Sequence, residues 1–363
     1  MVTEDLKYKI ALSLLPGVGC KTAKKLITFY GNAEAVFKEK KHAFNKTSGR
    51  ILAMESGKDA ALIKAEQEMN FIVKNNIKPL FFLDKSYPSR LKQCEDSPVM
   101  LYCRGEIDFF TQKVVSIVGT RKATEYGKNI CDEIIKDISG YTVMIVSGMA
   151  YGIDIAAHKA AIKNNLPTVA AMAHGLDRIY PLVHKSVAES MYENGGLVTE
   201  FLSGTNPDRE NFPKRNRIIA GLSDATIVIE AGKKGGALIT AGIANSYNRD
   251  VFAVPGKVGD MYSEGCNFLI KKNLAALIES AEDLIYYLGW EETGKKNIQK
   301  QLFVNLSPEE EVLMDILKEK GTMAIDNLCN VSRLSTSKVA ALLLNLEFSG
   351  LVKSLPGKMF QLT

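Results

Sequence analysis

The segment VVSIVGTRKATEYG, residues 114–127, decides the fold. A run of Val and Ile ends at Gly119, and a helical pattern follows it. The same order, an apolar run and then a helical pattern, recurs along the chain to about residue 288. Such alternation predicts βαβ units and a parallel sheet covered by helices on both faces. The predicted strands are Val114–Val118, Thr142–Val146, Thr168–Met172, Leu197–Glu200, Thr226–Glu230 and Val251–Val254.

Around this sheet the sequence predicts an α/β protein of three parts. An extended Rossmann-like core spans residues 78–290, with flanking strands within 79–103. The preceding residues 1–77 show helical spacing and form a head of the helix-hairpin-helix/SAM-like type. A polar linker at 291–306 leads to a tail at 307–363, whose three helices and hairpin predict a winged-helix domain.

The head contains a candidate helix-hairpin-helix turn, LPGVGCKTA, at residues 15–23. Such a turn offers backbone N–H groups to a nucleic-acid phosphate, and Lys21, Lys24 and Lys25 add positive charge. A turn that only packs two helices together is an equally good interpretation.

The tail begins with Ser307 as N-cap and Pro308 at the first helical position. Its candidate recognition helix, Ser335–Phe348, carries one cation, Lys338, within an apolar run. A reader of duplex DNA needs more basic or amide side chains there, so we expect protein contact or weak DNA contact instead.

Composition narrows the class of protein. The chain has 363 residues, 46% of them hydrophobic and 24% charged, with a net charge of +5 that permits an acidic partner. We find no apolar run long enough for a membrane span and no secretory signal. The six cysteines form no C-x-x-C pair and the four histidines show no metal-ligand spacing, so we expect a cytoplasmic protein with reduced thiols and no metal.

Glycine-rich turns follow three of the predicted strands, at residues 118–121, 147–154 and 230–237. In a doubly wound sheet these turns meet at one crevice, where glycine lets backbone N–H groups approach a phosphate. Tight turns that any such fold needs are the alternative. The candidate binding residues in the turns are Gly119, Thr120, Ser147, Gly148, Gly152, Gly235 and Gly236.

Cations cluster beside these turns. Arg121 and Lys122 follow the first turn, while Lys214, Arg215 and Arg217 stand at the start of a helix in FPKRNR. Cations oppose the macrodipole at a helix N-terminus, so a bound polyanion would offset the cost. For Arg217, a structural ion pair with Glu200 or Asp224 is the alternative.

Catalytic signatures are missing. The sequence has no G-x-S-x-G elbow and no complete phosphate-binding P-loop. We interpret His158 as a core or capping histidine and Asp154 as a helix cap. We therefore expect no catalytic residue, no metal and no cofactor.

Several motifs in one order carry a resemblance to a known family. They are VGTR at 118–121, the run 147–158, GLDRIYP at 175–181, residues 212–223, GGALIT at 235–240, VFAVPG at 251–256 and EGCN at 264–267. Together they resemble the DprA (Smf) family. The resemblance implies a homodimer, joined through its Rossmann domain, that binds single-stranded DNA. It implies protection of incoming strands during natural transformation and loading of the RecA recombinase, without a cofactor or catalysis.

The resemblance also carries residue roles. The family's arginine after the first glycine turn corresponds to Arg121, and its basic FPxRNR stretch to residues 212–217. Some members have a DNA-contacting lysine just after the Tyr-Pro pair, where this chain's nearest lysine is Lys185. The family's dimer patch corresponds to Asn267–Leu277; residues that simply cover the sheet are the alternative there. The apolar members of that patch are Phe268, Leu269, Leu274 and Leu277.

Beside the Tyr-Pro pair, Arg178 or Tyr180 could stack on a base.

Two other functions remain open. The region 212–240 also resembles LOG-type nucleoside-monophosphate phosphoribohydrolases, but the loop at 230–236 lacks their suitably spaced glutamate. A winged-helix regulator that reads duplex DNA is the second.

Overall fold

The computed structural model describes residues 4–38, 48–290 and 306–362. The head is helical, as its apolar spacing predicts, and α2 ends at Gly31, whose φ of 87° suits a helix C-terminus. The third helix was not predicted, because six residues are too few to show a helical period. The head helices are α1 (Glu4–Leu12), α2 (Cys20–Tyr30), α3 (Ala33–Lys38) and α4 (Ser48–Lys74).

Among the described residues, one sheet of nine strands forms the centre of the core, in the order β1-β2-β6-β5-β4-β3-β7-β8-β9. Every pair from β6 to β9 is parallel, whereas β1 and β2 are antiparallel strands at one edge. The strands are β1 (Lys78–Phe81), β2 (Met100–Arg104), β3 (Lys113–Gly119), β4 (Val143–Ser147), β5 (Thr168–Ala171), β6 (Gly195–Thr199), β7 (Ala225–Ile229), β8 (Asp250–Ala253) and β9 (Ala276–Leu277).

Helices cover both faces of this sheet, which is why β4, β5, β6 and β7 are buried along their whole length and rich in apolar residues. The Thr124 side chain caps the helix after β3 by accepting from the Gly127 N–H. The core helices are α5 (Ser89–Lys92), α6 (Glu125–Asp137), α7 (Ile153–Lys163), α8 (Lys185–Ser190), α9 (Asn211–Leu222), α10 (Gly236–Ser246), α11 (Glu264–Lys271) and α12 (Ala281–Tyr287).

The six predicted parallel strands are confirmed, with each end within two residues of its predicted position. The flanking strands expected within 79–103 are β1 and β2. The edge strand β9 was not predicted, because two residues show no period.

The strand order reverses between β3 and β7. From β3 the chain adds β4, β5 and β6 on one side, and then β7, β8 and β9 on the other. Loops at the carboxyl ends of these neighbours therefore diverge and leave a crevice. The crevice lies between the turn after β3 and the turn after β7.

Three hydrophobic clusters hold the molecule together. The first joins head residues such as Ile10 and Leu26 to sheet residues such as Leu101, so the head packs directly on the core. The second lies on the other sheet face and ends at Trp290, whose ring is 6.0 Å from that of Tyr141. The third belongs to the tail alone.

The tail has the predicted three helices and hairpin, plus the short strand β10. Ser307 and Glu310 form a capping box at its first helix. The linker predicted at 291–306 lies outside the described residues except for Leu306. The tail elements are α13 (Pro308–Lys320), β10 (Met323–Ala324), α14 (Ile325–Ser332), α15 (Thr336–Phe348), β11 (Val352–Leu355) and β12 (Met359–Leu362).

Candidate nucleic-acid interface

The three glycine-rich turns interlock at the carboxyl edge of the sheet. The Thr120 N–H donates to the Glu230 carbonyl at 2.7 Å, and the Ile153 N–H donates to the Thr120 carbonyl at 3.2 Å. A Cβ at Gly119 would lie 2.0 Å from a carbonyl oxygen of β7. Gly152 has a φ of +80°, and its Cβ would lie 2.0 Å from the Thr120 carbonyl. These glycines are needed to bring the turns together, because a side chain would collide with backbone.

A cavity of ≈ 720 Å³, here called the switch-point cleft, opens between the turns. The helix α10 begins at its rim with Gly236, and the partial positive charge of a helix N-terminus favours anions there. The cleft is thus suited to a phosphate-bearing ligand. Its lining includes Gly119, Thr120, Arg121, Asp154, Arg215, Lys233, Lys234, Gly235, Gly236 and Tyr262.

A second cavity of ≈ 100 Å³, here called the aromatic pocket, lies beside the cleft. Arg121, Ala150, Phe212 and Arg215 line both cavities. The other residues of the aromatic pocket are Met149, Tyr151, Ala171, Met172, Ala173, His174, Tyr180 and Pro181.

Arg121 stands between the two cavities with its side chain exposed. Its guanidinium carbon lies 5.1 Å from the centre of the Phe212 ring, a cation–π arrangement that fixes its direction. Within the described part of the chain, no carboxylate forms an ion pair with it. Arg121 is therefore a positive charge available to a ligand.

Arg215 does not join a surface cluster of cations. Its side chain is buried beneath both cavities, and Nη1 donates to the Ala171 carbonyl at 2.5 Å. The guanidinium packs so closely on Gly148 that a Cβ there would lie 2.1 Å from Nη1. Burial lowers the pKa of Arg215, and the Asp154 carboxylate opposes that change. Arg215 supports the floor of the cleft from below.

Arg217 links the core to the head, because its Nη2 donates to Cys20 Sγ of α2 at 3.8 Å. It donates to the Glu200 carboxylate and to the Asp96 carbonyl. The structure therefore favours the ion-pair alternative over a direct ligand contact for Arg217. The other candidate partner, Asp224, pairs instead with Arg90 at 2.6 Å.

Ser147 and His158 lie inside the core. The Ser147 hydroxyl donates to the Ile117 carbonyl at 2.6 Å, so Ser147 supports its turn without reaching the surface. His158 Nε2 lies 2.7 Å from the Gly148 carbonyl, and burial lowers the pKa of His158 to about 4. The core interpretation of His158 is confirmed. Asp154 does not cap α7 as expected; buried near Arg215, it accepts from the Ala150 N–H at 3.4 Å.

Four further predicted binding residues are on the surface but outside both cavities. Arg178 pairs with Asp177 at 2.8 Å, and Lys185 lies 3.8 Å from a carboxylate on its own helix. Lys122 and Lys214 are exposed. All four are close in sequence to residues of the crevice, but none of them lines either cavity.

Several residues of the site were not among the predicted binding residues. Lys233 and Lys234 line the cleft, although only the glycines of their turn were predicted to bind a ligand. Phe212 and His174 line the aromatic pocket, and neither was among the predicted binding residues. Two adjacent lysines between glycines were the available signal for the cleft; no local pattern identifies His174.

The candidate helix-hairpin-helix turn packs against the core. Lys24 donates to the Ser97 hydroxyl at 2.6 Å and to the Glu95 carbonyl at 3.1 Å. Lys21 pairs with the Glu95 carboxylate at 2.6 Å. Lys25 is exposed. This arrangement favours the interpretation of a turn that packs.

The expected dimer patch and the candidate recognition helix each contain residues that are already engaged within the protein. In the expected dimer patch, Leu269 is buried against the sheet, whereas Phe268, Leu274 and Leu277 are exposed. In the tail, the Lys338 ammonium pairs with Glu309. The apolar dimer patch is therefore smaller than expected, and the candidate recognition helix has its one cation in an ion pair.

Neither a metal site nor a membrane helix is found in the parts of the chain that the structure describes. Residues 4–38, 48–290 and 306–362 contain no cluster of His, Cys, Asp or Glu fit to hold a metal ion. Within the same ranges, every helix is too short or too polar to cross a bilayer.

The buried Glu230 carboxylate, which closes the turn after β7, accepts from the Thr124 N–H at 2.8 Å and thus has a structural role.

Known sequences resemble this chain along most of its length. The model of the family described as DNA recombination-mediator protein A matches residues 78–289, and that of the DprA winged helix domain matches residues 302–358. Protein Smf of Synechocystis sp. is 32% identical over 406 residues, covering 99% of this chain and 100% of that protein. A putative DNA processing protein DprA of Mycobacterium tuberculosis is 31% identical, covering 85% of this chain and 83% of that protein.

Two solved structures are similar as well. DNA processing protein A of Streptococcus pneumoniae is 31% identical with a TM-score of 0.62, covering 79% of this chain and 98% of that one. DNA processing protein A of Helicobacter pylori is 30% identical with a TM-score of 0.53, covering 58% of this chain and 95% of that one. The Helicobacter protein is described as having a unique single-stranded DNA binding mode.

Proposed function

Because the chain belongs to the DNA recombination-mediator protein A (DprA/Smf) family, we propose that it binds single-stranded DNA along the switch-point cleft and the aromatic pocket. The observation that carries the proposal is the exposed Arg121, held on the Phe212 ring between the two cavities. Lys234 lines the same cleft, and the N-terminus of α10 adds favourable charge, whereas Lys233 pairs with the Glu264 carboxylate at 3.1 Å.

A flexible strand suits this surface better than a duplex. Phosphates would lie over the cations and glycine turns of the cleft, while a base would enter the aromatic pocket. Arg215 and Asp154 act from beneath by fixing Gly148 and its turn. Lys122, Lys214 and Lys185 contribute charge at the border of the site rather than at its centre.

Arg121→Ala tests the proposal. We expect the variant to lose most of its affinity for oligo-dT, measured by fluorescence anisotropy, with an unchanged far-ultraviolet circular dichroism spectrum. If the arginine neutralises one phosphate, its removal should flatten the salt dependence by about 0.7 in slope. The matched control is Lys163→Ala, an exposed cation at the far end of α7. Equal losses in both variants would contradict a site at Arg121.

Stacking by Arg178 or Tyr180 has a separate test. Tyr180 is half-exposed and lines the aromatic pocket, whereas the Arg178 guanidinium is engaged by Asp177 and Asn206. We therefore expect Tyr180→Ala to weaken oligo-dT binding and Arg178→Ala to change it little. Unchanged affinity in Tyr180→Ala would contradict stacking.

We further propose that the protein protects incoming strands and loads RecA during natural transformation, without catalysis. Loading is tested by RecA filament growth on strands covered with a single-strand-binding protein. Growth should accelerate with this protein and not with Arg121→Ala. No acceleration would contradict the loading role while leaving strand binding intact.

We also propose a homodimer through the exposed residues Phe268, Leu274 and Leu277 at the β9 edge. Leu277→Arg should shift sedimentation from dimer toward monomer.

A truncated chain of residues 1–290 should still form a dimer and keep its strand affinity, because neither proposed surface involves the tail. Loss of strand affinity on truncation would instead favour the winged-helix domain as the main DNA-binding part.

A further inference from the structure

The loop that carries Arg121 is held at both ends by one residue, Glu230. The Glu230 carbonyl accepts from the Thr120 N–H at 2.7 Å, immediately before Arg121. The Glu230 carboxylate accepts from the Thr124 N–H at 2.8 Å and also from the Thr124 hydroxyl, three residues after Arg121. The main chain and the side chain of Glu230 therefore fix the two ends of the segment 120–124, and Arg121 lies between them.

Glu230 has a backbone conformation that is unusual for its residue type. Its φ is +53°, in the left-handed region, where a residue other than glycine costs free energy. Among the described residues of the core, the other non-glycine residues with positive φ are asparagines, which tolerate this region: Asn165, Asn248 and Asn273. The backbone alone would therefore favour glycine or asparagine at this position. The reason for a glutamate lies in its carboxylate, which reaches the N-terminus of α6.

Glycines next to the Arg121 loop allow this close arrangement. A Cβ at Gly127 would lie 2.4 Å from Oε2 of Glu230, so a side chain there would displace the carboxylate. A Cβ at Gly152 would lie 2.0 Å from the Thr120 carbonyl oxygen and 2.9 Å from Cα of Arg121. The loop is thus enclosed by the first turn of α6 on one side and by the turn before α7 on the other, which leaves its main chain little freedom.

Two residues orient Arg121 at different levels. The Phe212 ring of α9 contacts its guanidinium, whereas Glu230, at the end of β7, fixes the main chain from which the side chain projects. A long side chain binds a ligand more tightly when less of its freedom remains to be lost on binding. Glu230 is only 5% exposed and lines neither cavity, so it can affect a ligand only through the residues that it holds.

We propose that Glu230 is a positioning residue for strand binding, and that its carboxylate holds the segment 120–124 so that Arg121 reaches a phosphate of the bound strand. Glu230 makes no contact with the strand itself. The inference rests on the proposed strand binding and adds to it a residue outside both cavities. Because Glu230 contributes to binding only through Arg121, the effects of changing the two residues should not add.

Glu230→Gln tests the proposal in the full-length protein. The glutamine keeps the shape of the side chain, but its amide nitrogen cannot accept from Thr124. We expect oligo-dT to bind about tenfold more weakly by fluorescence anisotropy, the size of one hydrogen bond to a charged group. The salt dependence should flatten toward that of Arg121→Ala, by up to about 0.7 in slope. In the Arg121→Ala background, Glu230→Gln should cause no further loss of affinity, a result that a merely structural role does not predict.

The matched control is Asp224→Asn, because Asp224 has a similar arrangement at the other end of β7. Its carboxylate accepts from the Val114 N–H of β3 at 2.9 Å and pairs with Arg90 at 2.6 Å. Asp224→Asn should lower the free energy of unfolding, measured in urea, and leave the oligo-dT affinity at the wild-type level. Thr124→Val removes only the hydroxyl donor and should weaken binding in the same direction as Glu230→Gln. It replaces Glu230→Gln in the test if that variant does not fold.

Wild-type affinity in Glu230→Gln, or in Thr124→Val where Glu230→Gln does not fold, would overturn the positioning role and leave the proposed function standing. So would additive losses in the double variant. An equal loss of affinity in Asp224→Asn would overturn it as well, because the loss would then follow from lower stability in general. If Arg121→Ala binds oligo-dT as the wild type does, the proposed function fails, and the positioning role fails with it.

Discussion

The two sides of helix α9 use arginines in opposite ways. On the side that faces the head, Arg217 donates to the Glu200 carboxylate, to the Asp96 carbonyl and to Cys20 Sγ of the head. On the side that faces the cleft, Arg215 keeps an unpaired Nε–H, and the neighbouring Arg121 touches an aromatic ring instead of a carboxylate. The two arginines of α9 come from one six-residue stretch, FPKRNR.

Structural cations and candidate binding cations of α9 differ in their partners. A buried guanidinium is costly unless it is paired, and the ion pair of Arg217 with Glu200 therefore indicates a structural role. Arg215 lies beside two cavities, and among the described residues it forms no ion pair and leaves its Nε–H unpaired. The charge itself does not distinguish them; the partners do.

The largest expected effect comes from breaking the head side. Arg217→Ala leaves the buried Glu200 carboxylate unpaired, so we expect the free energy of unfolding to fall by about 3–5 kcal/mol. Urea denaturation measures it. Arg121→Ala is the control on the cleft side and should change stability by less than about 0.5 kcal/mol. Similar stability losses in both variants would erase the distinction between the two sides.

The next effect tests the support beneath the cleft. The unfolded chain protonates His158 near pH 6.5, whereas the folded protein does so only near its pKa of about 4. Between these values the unfolded state binds more protons, so stability falls as the pH drops, by about 3 kcal/mol in all. Urea denaturation across this window should show a shallower fall for His158→Asn than for the wild type. Parallel curves would mean that His158 does not titrate in this way.

A smaller effect concerns the cleft side alone. Phe212→Ala removes the ring that orients Arg121, and we expect oligo-dT binding to weaken by about 0.5–2 kcal/mol, the range of a cation–π contact. Anisotropy titrations measure it, with Phe110→Ala as the control for an exposed aromatic ring elsewhere. An affinity equal to that of the wild type would show that Arg121 needs no such support.

The smallest effect belongs to the edge of the head side. The ion pair between Lys21 and Glu95 is exposed, so Lys21→Ala should cost less than about 1 kcal/mol of stability. Its oligo-dT affinity should match that of the wild type, because the turn packs on the core. A clear loss of affinity would restore the head turn as a DNA contact.

The parallel strands could be predicted from the sequence because each of them is a continuous apolar run. It could not assign Arg215 and Arg217, although one general fact was available. Residues two apart on a helix point in nearly opposite directions, so the two arginines could not serve one surface. Which of them faced the cleft depended on the Glu200 and Asp96 positions, which are set by distant parts of the chain. His174 could not be predicted for the same reason, because its place in the aromatic pocket is set by distant parts of the chain.

The position of Trp290 gives the protein a built-in optical probe. It is the single tryptophan of the chain, and it packs on the core beside Tyr141 with Lys113 above its ring. The tail has a separate hydrophobic cluster without tryptophan. Fluorescence excited at wavelengths that tryptophan absorbs and tyrosine does not should therefore report the unfolding of the core and its attached head, but not that of the tail. Circular dichroism reports all three parts, so a difference between the two melting curves would reveal a separate unfolding transition of the tail.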